Sequence, residues 1–259
     1  MRVLVSGAAG GIGRETVLRL REQHEVIALD RDERVEAIRG VDARVVDATD
    51  ARAVRETIAP IDLDAVVTCV GSYELGALED QPPAAFANQF ETNVLGTHTV
   101  VHAALPSLRE RAGRVAIVGS LLGRVALPYH GPYAASKHAL VGYADALRRE
   151  HARVSVSLIE PGPVATGLNE RARAALDSEG SAHGEAYRTL LDHPSRSATT
   201  PEAVAGVIVE ALTAERPRHC YRVSLRARLL PWLRALLPTR LFDRIVRSGT
   251  TGLLSQPIG

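Results

Sequence analysis

The sequence predicts an α/β protein in which a parallel sheet is flanked by helices on both faces. Short apolar, β-branched segments alternate along the chain with segments of helical periodicity, a pattern typical of strands joined by crossover helices. A glycine-rich turn and a helix follow the first strand at once. The 259 residues, 46% of them hydrophobic, are sufficient for one large domain with a substantial core.

Seven short segments have the composition of buried strands. They are residues 2–6, 25–29, 43–46, 64–71, 114–119, 154–159 and 219–225. Parallel neighbours in a sheet need long crossover connections, which the helical segments between them supply. We therefore predict a single doubly wound domain over residues 1–225, with a seven-stranded, mostly parallel sheet flanked by helices.

A segment of different character follows the sixth strand. Residues 167–200 are polar, rich in alanine and arginine, and long for a connection within one domain. Because such segments are commonly functional, we predict a lid over a substrate pocket here. Thr200 is expected to cap the next helix, which would end near Ala214.

Charge and cysteine content exclude several classes of function. A net charge of +1 at pH 7 gives no electrostatic basis for nucleic-acid binding. Cys69 and Cys220 fit neither a metal-ligand spacing nor a disulfide framework, so no metal site is predicted. Reduced cysteines, a strand directly after Met1 and the lack of an apolar run of transmembrane length favour a cytoplasmic protein.

The turn after the first strand has the context of a dinucleotide site. Glycines let a backbone approach a pyrophosphate, and the N-terminus of the following helix supplies N–H donors. A plain tight turn between strand and helix is the alternative interpretation. The residues predicted to hold the cofactor here are Ser6, Gly7, Gly10, Gly11, Ile12 and Gly13.

The acid that ends the second strand bears on which dinucleotide is bound. Asp30 lies 17 residues after Gly13, near the position of an acid that hydrogen-bonds an adenosine ribose. A carboxylate repels a 2′-phosphate and favours NAD, whereas the adjacent Arg31 would accommodate NADP. Helix capping is the alternative role for Asp30.

Two acids follow the third predicted strand. Asp47 is placed to contact the adenine ring, and Asp50 is expected to be a helix N-cap.

Three side chains near the end of the fifth strand are candidates for catalysis. Tyr133 and Lys137 are four residues apart on a helix that is predicted to start at Pro132, so they share one face. Ser120 follows the strand directly. Lys137 is the only lysine beside 30 arginines, and a compact ammonium is suited to lie close to a phenol.

These groups can move a proton but cannot accept a hydride. A nearby ammonium is expected to lower the pKa of the Tyr133 phenol, which is ordinarily about 10. The phenol would then exchange a proton with an alcohol or carbonyl oxygen held by the Ser120 hydroxyl. Redox chemistry at this site therefore needs a cofactor.

Asn93 lies within a predicted long helix that opens at Pro82. Its amide is either exposed or locally capped, or it is a buried polar relay.

The chain from residue 226 onward alternates arginine with large apolar residues and contains the only tryptophan. Pro231 and Pro238 are predicted to break it into short pieces. This basic amphipathic extension, residues 226–259, can lie on a membrane surface, cover the substrate pocket or pack against another subunit. Membrane contact is not the favoured one of these three interpretations.

Taken together, the motifs resemble those of the classical short-chain dehydrogenases/reductases. The resemblance covers most of the chain, from residue 3 to about 224. Residues 6–13 match the family's T-G-x-x-x-G-x-G turn with serine in place of threonine, and residues 161–166 match its P-G-x-V-x-T turn. Residues 68–71, Thr-Cys-Val-Gly, depart from the family's N-N-A-G and alter the expected contacts with the adenosine. The family's catalytic tetrad corresponds to Asn93, Ser120, Tyr133 and Lys137.

The resemblance implies a Rossmann-type fold and a role for each site residue. Tyr133 would be the general acid/base, and Lys137 would lower its pKa and bind the nicotinamide ribose. Ser120 would orient the substrate oxygen, and Asn93 would hold a water in a proton relay. Tyr129 is expected to be a pocket wall. Besides the glycine turn and Asn93, Tyr133 and Lys137, the implied cofactor-binding residues are Asp30, Arg31, Asp47, Ala48, Gly71, Pro161, Gly162, Val164 and Thr166.

The expected function is an NAD(P)-dependent interconversion of a secondary alcohol and a ketone, with NAD favoured. The I-E-P-G-P-V-x-T segment and the Arg/Leu-rich tail resemble family members that act on lipophilic alcohols such as steroids and retinol. The resemblance also implies a homodimer or homotetramer formed through the helices of Asn93 and Tyr133. A non-catalytic dinucleotide-binding regulator and a membrane-surface lipid-binding protein are the alternative hypotheses.

Overall fold

A computed structural model describes residues 1–176, 180–192 and 199–248 of the chain. Within these ranges, seven strands form one sheet in the order β3-β2-β1-β4-β5-β6-β7, and every neighbouring pair is parallel. The predicted doubly wound α/β fold is confirmed. The strands are β1 (Arg2–Ser6), β2 (Glu25–Asp30), β3 (Asp42–Val45), β4 (Ala65–Thr68), β5 (Arg114–Val118), β6 (Ser155–Glu160) and β7 (Cys220–Arg222).

Helices connect the strands, and two predicted caps are confirmed. Asp50 accepts hydrogen bonds from the backbone N–H groups of residues 52 and 53, and Thr200 accepts one from residue 203. No helix within the described ranges is both long and apolar enough to cross a membrane. The helices are α1 (Gly11–Leu20), α2 (Ala51–Ile58), α3 (Pro83–Phe90), α4 (Gly96–Glu110), α5 (Gly131–Glu150), α6 (Gly167–Ala174), α7 (Gly184–Asp192), α8 (Pro201–Thr213), α9 (Leu225–Leu236) and α10 (Thr239–Ser248).

The core lies on both faces of the sheet because successive strand residues point to opposite sides. In β1, Val3 and Val5 pack in the cluster that holds α1 and α8. Leu4, between them, packs in the cluster that holds α2, α4 and α5. Burial on both faces explains why the strands read as continuous apolar runs rather than as alternating ones.

The strand order places a crevice at the carboxyl ends of β1 and β4. The chain proceeds from β1 outward to β3 and then returns to start β4 on the other side of β1, which is the topological switch where such sheets bind ligands. Gly7, just after β1, has φ +74°, and a Cβ there would lie 2.6 Å from the carbonyl carbon of Cys69. The backbones that follow β1 and β4 therefore approach each other more closely than a side chain would permit.

The long helix predicted from Pro82 is confirmed, since α3, a π-helical turn (Glu91–Leu95) and α4 follow one another without a break. A different helix prediction needed correction. Pro231 lies inside α9 instead of ending it, so the prediction that it breaks the tail was wrong. A proline in that position removes a single helical hydrogen bond, and Ala227 and Leu230, within the turn that lacks it, still pack inward.

The strand β7 is also shorter than the segment 219–225 predicted for it. Ser224 adopts an extended conformation and its hydroxyl accepts a hydrogen bond from the N–H of Ala227, 3.1 Å away. The residue therefore caps α9, and helix geometry begins where the strand was expected to continue.

Replacing Gly13 by alanine tests how tightly the first turn is built. A Cβ at Gly13 would lie 2.0 Å from the carbonyl oxygen of Gly7, whereas a Cβ at Gly206, also in a helix, would have no neighbour within 4 Å. We expect Gly13→Ala to destabilise the fold by about 1–3 kcal/mol and Gly206→Ala to stabilise it by about 0.5–1 kcal/mol. Thermal unfolding measures both, and a Gly13→Ala protein as stable as the wild type would contradict this geometry.

Candidate active site

The structure brings Ser120, Tyr133 and Lys137 together at the carboxyl end of β5. Tyr133 and Lys137 lie one turn apart on α5, and the Lys137 Nζ is 5.5 Å from the centroid of the Tyr133 ring. The ammonium donates a hydrogen bond to the carbonyl oxygen of Val118, 3.0 Å away at the end of the strand. The Ser120 hydroxyl lies close enough to the Tyr133 phenol to lower its pKa. A half-buried phenol, a buried hydroxyl and a buried ammonium therefore lie together.

Burial governs the proton affinity of these side chains. It raises the pKa of Tyr133 to about 12, and the hydrogen bond from Ser120 offsets only part of the increase. It lowers the pKa of Lys137 to about 8 and raises that of the neighbouring Cys69 thiol to about 12. The direction is opposite to the expected lowering of the Tyr133 pKa by Lys137, because loss of hydration is its largest cause and only Ser120 opposes it.

Asn93 is completely buried in the π-helical turn and connects two parts of the site. Its Oδ1 accepts a hydrogen bond from the N–H of Ser72 at 2.7 Å. Its Nδ2 donates to the carbonyl oxygen of Ser72 at 3.1 Å and to the hydroxyl of Ser136 at 2.9 Å. The structure thus favours the buried-relay interpretation over an exposed amide. The amide ties the segment after β4 to α5, and its role in holding a water stays a prediction.

The glycine turn is the candidate site for a pyrophosphate. Gly10 precedes α1 and gives the helix N-terminus no side-chain cap, so its first N–H groups face the crevice without one. A Cβ at Gly11 would lie 3.0 Å from Cγ2 of Thr166, which brings the turn of residues 161–166 against this helix end. Ser6 points into the sheet, with its hydroxyl 3.4 Å from the carbonyl oxygen of Val67, and Ile12 packs on the core.

Asp30 links the end of β2 to the glycine turn. Its Oδ2 accepts a hydrogen bond from the N–H of Ala9 at 2.8 Å, and its Oδ1 accepts one from the N–H of Asp32 at 3.0 Å. The helix-capping alternative is not what the structure has, since Asp32 caps the following turn, Glu33–Ala37. The Arg31 guanidinium lies 3.8 Å from the carboxylate of Asp47 in an exposed ion pair.

The remaining predicted contacts line the two ends of the crevice. Ala48 is buried, and a Cβ at Gly71 would lie 3.4 Å from Oδ1 of Asn93 and 3.8 Å from Nζ of Lys137. At the other end the Pro161 carbonyl accepts a hydrogen bond from residue 121 at 2.8 Å, and Val164 pairs with residue 199. Gly162 packs against Ser224, whose Oγ would be 2.4 Å from a Cβ on that glycine.

Residues 68–71, which depart from the family's N-N-A-G, differ from it in how the end of β4 is held. The hydroxyl of Thr68 is buried without a hydrogen-bond partner among the described residues. The backbone N–H of Cys69 donates to the carbonyl oxygen of Ser6 at 2.9 Å. The strand end is therefore held by backbone pairing where the family has asparagine side chains, and the glycine that completes the motif is retained as Gly71.

Sequence reasoning missed Tyr73 and His130. The ring of Tyr73 packs edge-on against that of Tyr133, with centroids 4.6 Å apart. A hydrogen bond of 2.8 Å joins its hydroxyl to Nδ1 of His130, the residue before α5. A scarcity of aromatic residues was the available signal: they are only 4% of the chain, and four of its six tyrosines lie in or near this site.

The described part of the predicted lid is fastened to the segment before α3. The Tyr187 hydroxyl of α7 donates to the carboxylate of Asp80 and accepts a hydrogen bond of 2.6 Å from the N–H of Ala77. His183 Nε2 lies 2.6 Å from a carboxylate oxygen of Glu79. Tyr129, with φ +69°, packs against the rings of His183 and Tyr187. Residues 177–179 and 193–198 of the predicted lid lie outside the described residues.

The chain is similar to proteins of known family over almost its whole length. The family model for short chain dehydrogenase matches residues 1–177. The uncharacterized oxidoreductase YbbO of Escherichia coli is 32% identical over 95% of this chain and 93% of its own. Retinol dehydrogenase 8 of Bos taurus is 30% identical over 92% of this chain and 86% of its own.

Solved structures show the same fold. A short-chain dehydrogenase/reductase of Burkholderia phymatum in complex with NAD has a TM-score of 0.78 at 21% identity, over 90% of this chain and 92% of its own. A short-chain dehydrogenase of Burkholderia cenocepacia in complex with NADP has a TM-score of 0.77 at 24% identity, over 94% and 96%. Given the family match and the YbbO identity, the chain belongs to the short-chain dehydrogenase/reductase family of NAD(P)-dependent oxidoreductases.

Proposed function

We propose that this protein interconverts a secondary alcohol and a ketone, with Tyr133 as the general acid/base. The observation that carries the proposal is the meeting of Ser120, Tyr133 and Lys137 at the carboxyl end of β5. This group lies at the same crevice as the glycine turn. All the side chains of the family's catalytic tetrad are present, which favours an enzyme over a non-catalytic regulator of the same fold.

In the proposed reaction the protein handles the proton. A bound nicotinamide dinucleotide supplies the hydride donor or acceptor. The Ser120 hydroxyl orients the substrate oxygen, and Tyr133 gives that oxygen a proton during reduction or takes one from it during oxidation. With a pKa of about 12 the phenol is protonated at neutral pH, which is the state that reduction requires.

The glycine turn and the loops at the strand ends fit such a dinucleotide. A pyrophosphate would lie at the N-terminus of α1, and the segment 161–166 would meet the nicotinamide end through Val164 and Thr166. Asp30 favours NAD, because its carboxylate would repel a 2′-phosphate. The exposed Arg31 guanidinium lies 3.8 Å from the Asp47 carboxylate, and this pairing supports the proposed preference.

The substrate side of the site favours a lipophilic molecule. The ring of Tyr73 packs edge-on against that of Tyr133, and residues 167–200 are proposed as the lid over the site. The relative named retinol dehydrogenase supports an apolar alcohol as substrate. We also infer a homodimer or homotetramer through the helices of Asn93 and Tyr133, where Leu95 is 55% exposed.

Replacing Tyr133 by phenylalanine separates proton transfer from cofactor binding. We expect Tyr133→Phe to lower kcat by about 10²–10⁴-fold and to leave NADH binding unchanged, because the ring and its packing are retained. Tyr143→Phe, on the same helix, is the matched control and should keep wild-type turnover. A panel of secondary alcohols and ketones, followed by nicotinamide absorbance, gives the rates. Wild-type turnover by Tyr133→Phe would overturn the assignment.

Replacing Lys137 by methionine removes a buried charge. Since burial lowers the Lys137 pKa from 10.5 to about 8, the folded state binds fewer protons than the unfolded state between these values, and stability rises with pH there. We expect Lys137→Met to be inactive yet more stable than the wild type at neutral pH by about 1–3 kcal/mol. The lost hydrogen bond to Val118 offsets part of the gain.

The stability difference between Lys137→Met and the wild type should shrink as the pH rises toward the ordinary lysine pKa. Thermal unfolding at neutral pH and near pH 10 measures it. Arg149→Met, on the exposed side of the same helix, should show no such pH dependence. A Lys137→Met protein that is less stable than the wild type at neutral pH would contradict the prediction.

Replacing Asp30 by asparagine tests the preference for NAD. We expect the wild type to bind NADH more tightly than NADPH, and Asp30→Asn to reduce the ratio of the two affinities by about tenfold, as expected for removing a like charge near a phosphate. Asp32→Asn, two residues along the same loop, is the control. Fluorescence titration gives both dissociation constants, and tighter NADPH binding by the wild type would refute the preference.

A further inference from the structure

The outer face of α9 carries a continuous apolar stripe. Its five residues are Leu225, Leu229, Trp232, Leu233 and Leu236, and their exposed fractions are 62%, 45%, 63%, 44% and 76%. Their spacing of four, three, one and three residues confines them to an arc of about 100° of the helix. Such a stripe ordinarily faces a core, but here it faces outward.

The inner face of the same extension packs against the rest of the protein. Leu230 and Leu237, together with residues 242 and 246 of α10, pack on Val125 and Leu127 in a separate apolar cluster. Val125 and Leu127 belong to the segment between Ser120 and α5. The extension is therefore docked on the loop that leads into the active site, and the outer stripe is a second, independent apolar face.

Charge distinguishes among the surfaces that could cover this stripe. Residues 225–248 contain six arginines and one acid, a net charge of +5, whereas the whole chain carries +1, so the remaining residues sum to −4. On α9, positions 226 and 228 place arginines on the two borders of the stripe. On α10, Arg240, Asp243, Arg244 and Arg247 share one face of the helix.

We propose that α9 and α10 bind an anionic phospholipid surface, with the α9 stripe buried among the acyl chains and the arginines at the phosphate level. A stripe with basic borders and a tryptophan is the arrangement of an interfacial helix. A second copy of this face would oppose arginine with arginine. The chain end, residues 249–259, contains no acidic side chain to complement them.

The sole tryptophan of the chain makes α9 directly observable. Trp232 emission from the full-length protein would be recorded with vesicles of phosphatidylcholine alone and of phosphatidylcholine and phosphatidylglycerol in equal parts. We expect a blue shift only with the anionic vesicles, together with co-sedimentation. Raising sodium chloride from about 0.05 to 0.5 M should reverse the binding, because screening weakens the attraction.

Matched variants identify the face that binds. Leu229→Asp in the stripe and Arg228→Glu at its border should each lower the vesicle partition coefficient by at least about tenfold. Arg228→Glu also removes a hydrogen bond from its Nε to the carbonyl oxygen of Arg222, so thermal unfolding is measured for both variants to show that they are folded. Arg52→Glu, an equally large charge change on α2 at a side chain that is 82% exposed, should leave it unchanged. An equal loss of vesicle binding in Arg52→Glu would mean that binding depends only on net charge, which would overturn the proposal.

The other possible occupants give distinct results. A blue-shifted Trp232 emission without vesicles that grows with protein concentration would mean that a second copy covers the stripe. A red shift on removing residues 249–259 would mean that the chain end covers it. Either result, or the absence of any shift with anionic vesicles, would refute the proposal.

Discussion

The buried ammonium of Lys137 is the constraint around which this site is built. Only 4% of the residue is exposed, and the groups around it are the carbonyl oxygen of Val118, the thiol of Cys69 and the ring of Tyr133. An ammonium held by a neutral oxygen rather than a carboxylate loses hydration without a full compensating charge. The fold retains this unfavourable arrangement, which is typical of a group that serves function rather than stability.

The surroundings of Lys137 are kept in place by a hydrogen-bonded network rather than by the helix alone. The amide of Asn93 fixes Ser72 on one side and Ser136 on the other, so the segment after β4 and the helix that carries the ammonium cannot move independently. Asn93 lies within the π-helical turn, and such turns are frequently found at functional sites.

Local patterns predicted the strands, the order of elements, the glycine turn and the meeting of Ser120, Tyr133 and Lys137, because these features depend on spacing along the chain. They did not predict the π-helical turn, the packing of Tyr73 on Tyr133 or the contact of Tyr187 with Asp80, which joins residues 107 positions apart. Local patterns did not predict the direction of the Tyr133 pKa shift either. Spacing places an ammonium beside the phenol, but the extent of burial, which raises the pKa, is a property of the assembled fold.

The extension formed by α9 and α10 shows how one short segment can serve two surfaces. An isolated helix of this length is marginally stable in water, so its inner leucines depend on Val125 and Leu127, and the loop before α5 in turn depends on them. Leucines and a tryptophan on the outer face contribute nothing to that packing and would be replaced by polar residues at no cost to the fold. The proposed phospholipid surface accounts for their helical spacing between arginines. That surface would adjoin the loop of Val125 and Leu127, which leads into the active site.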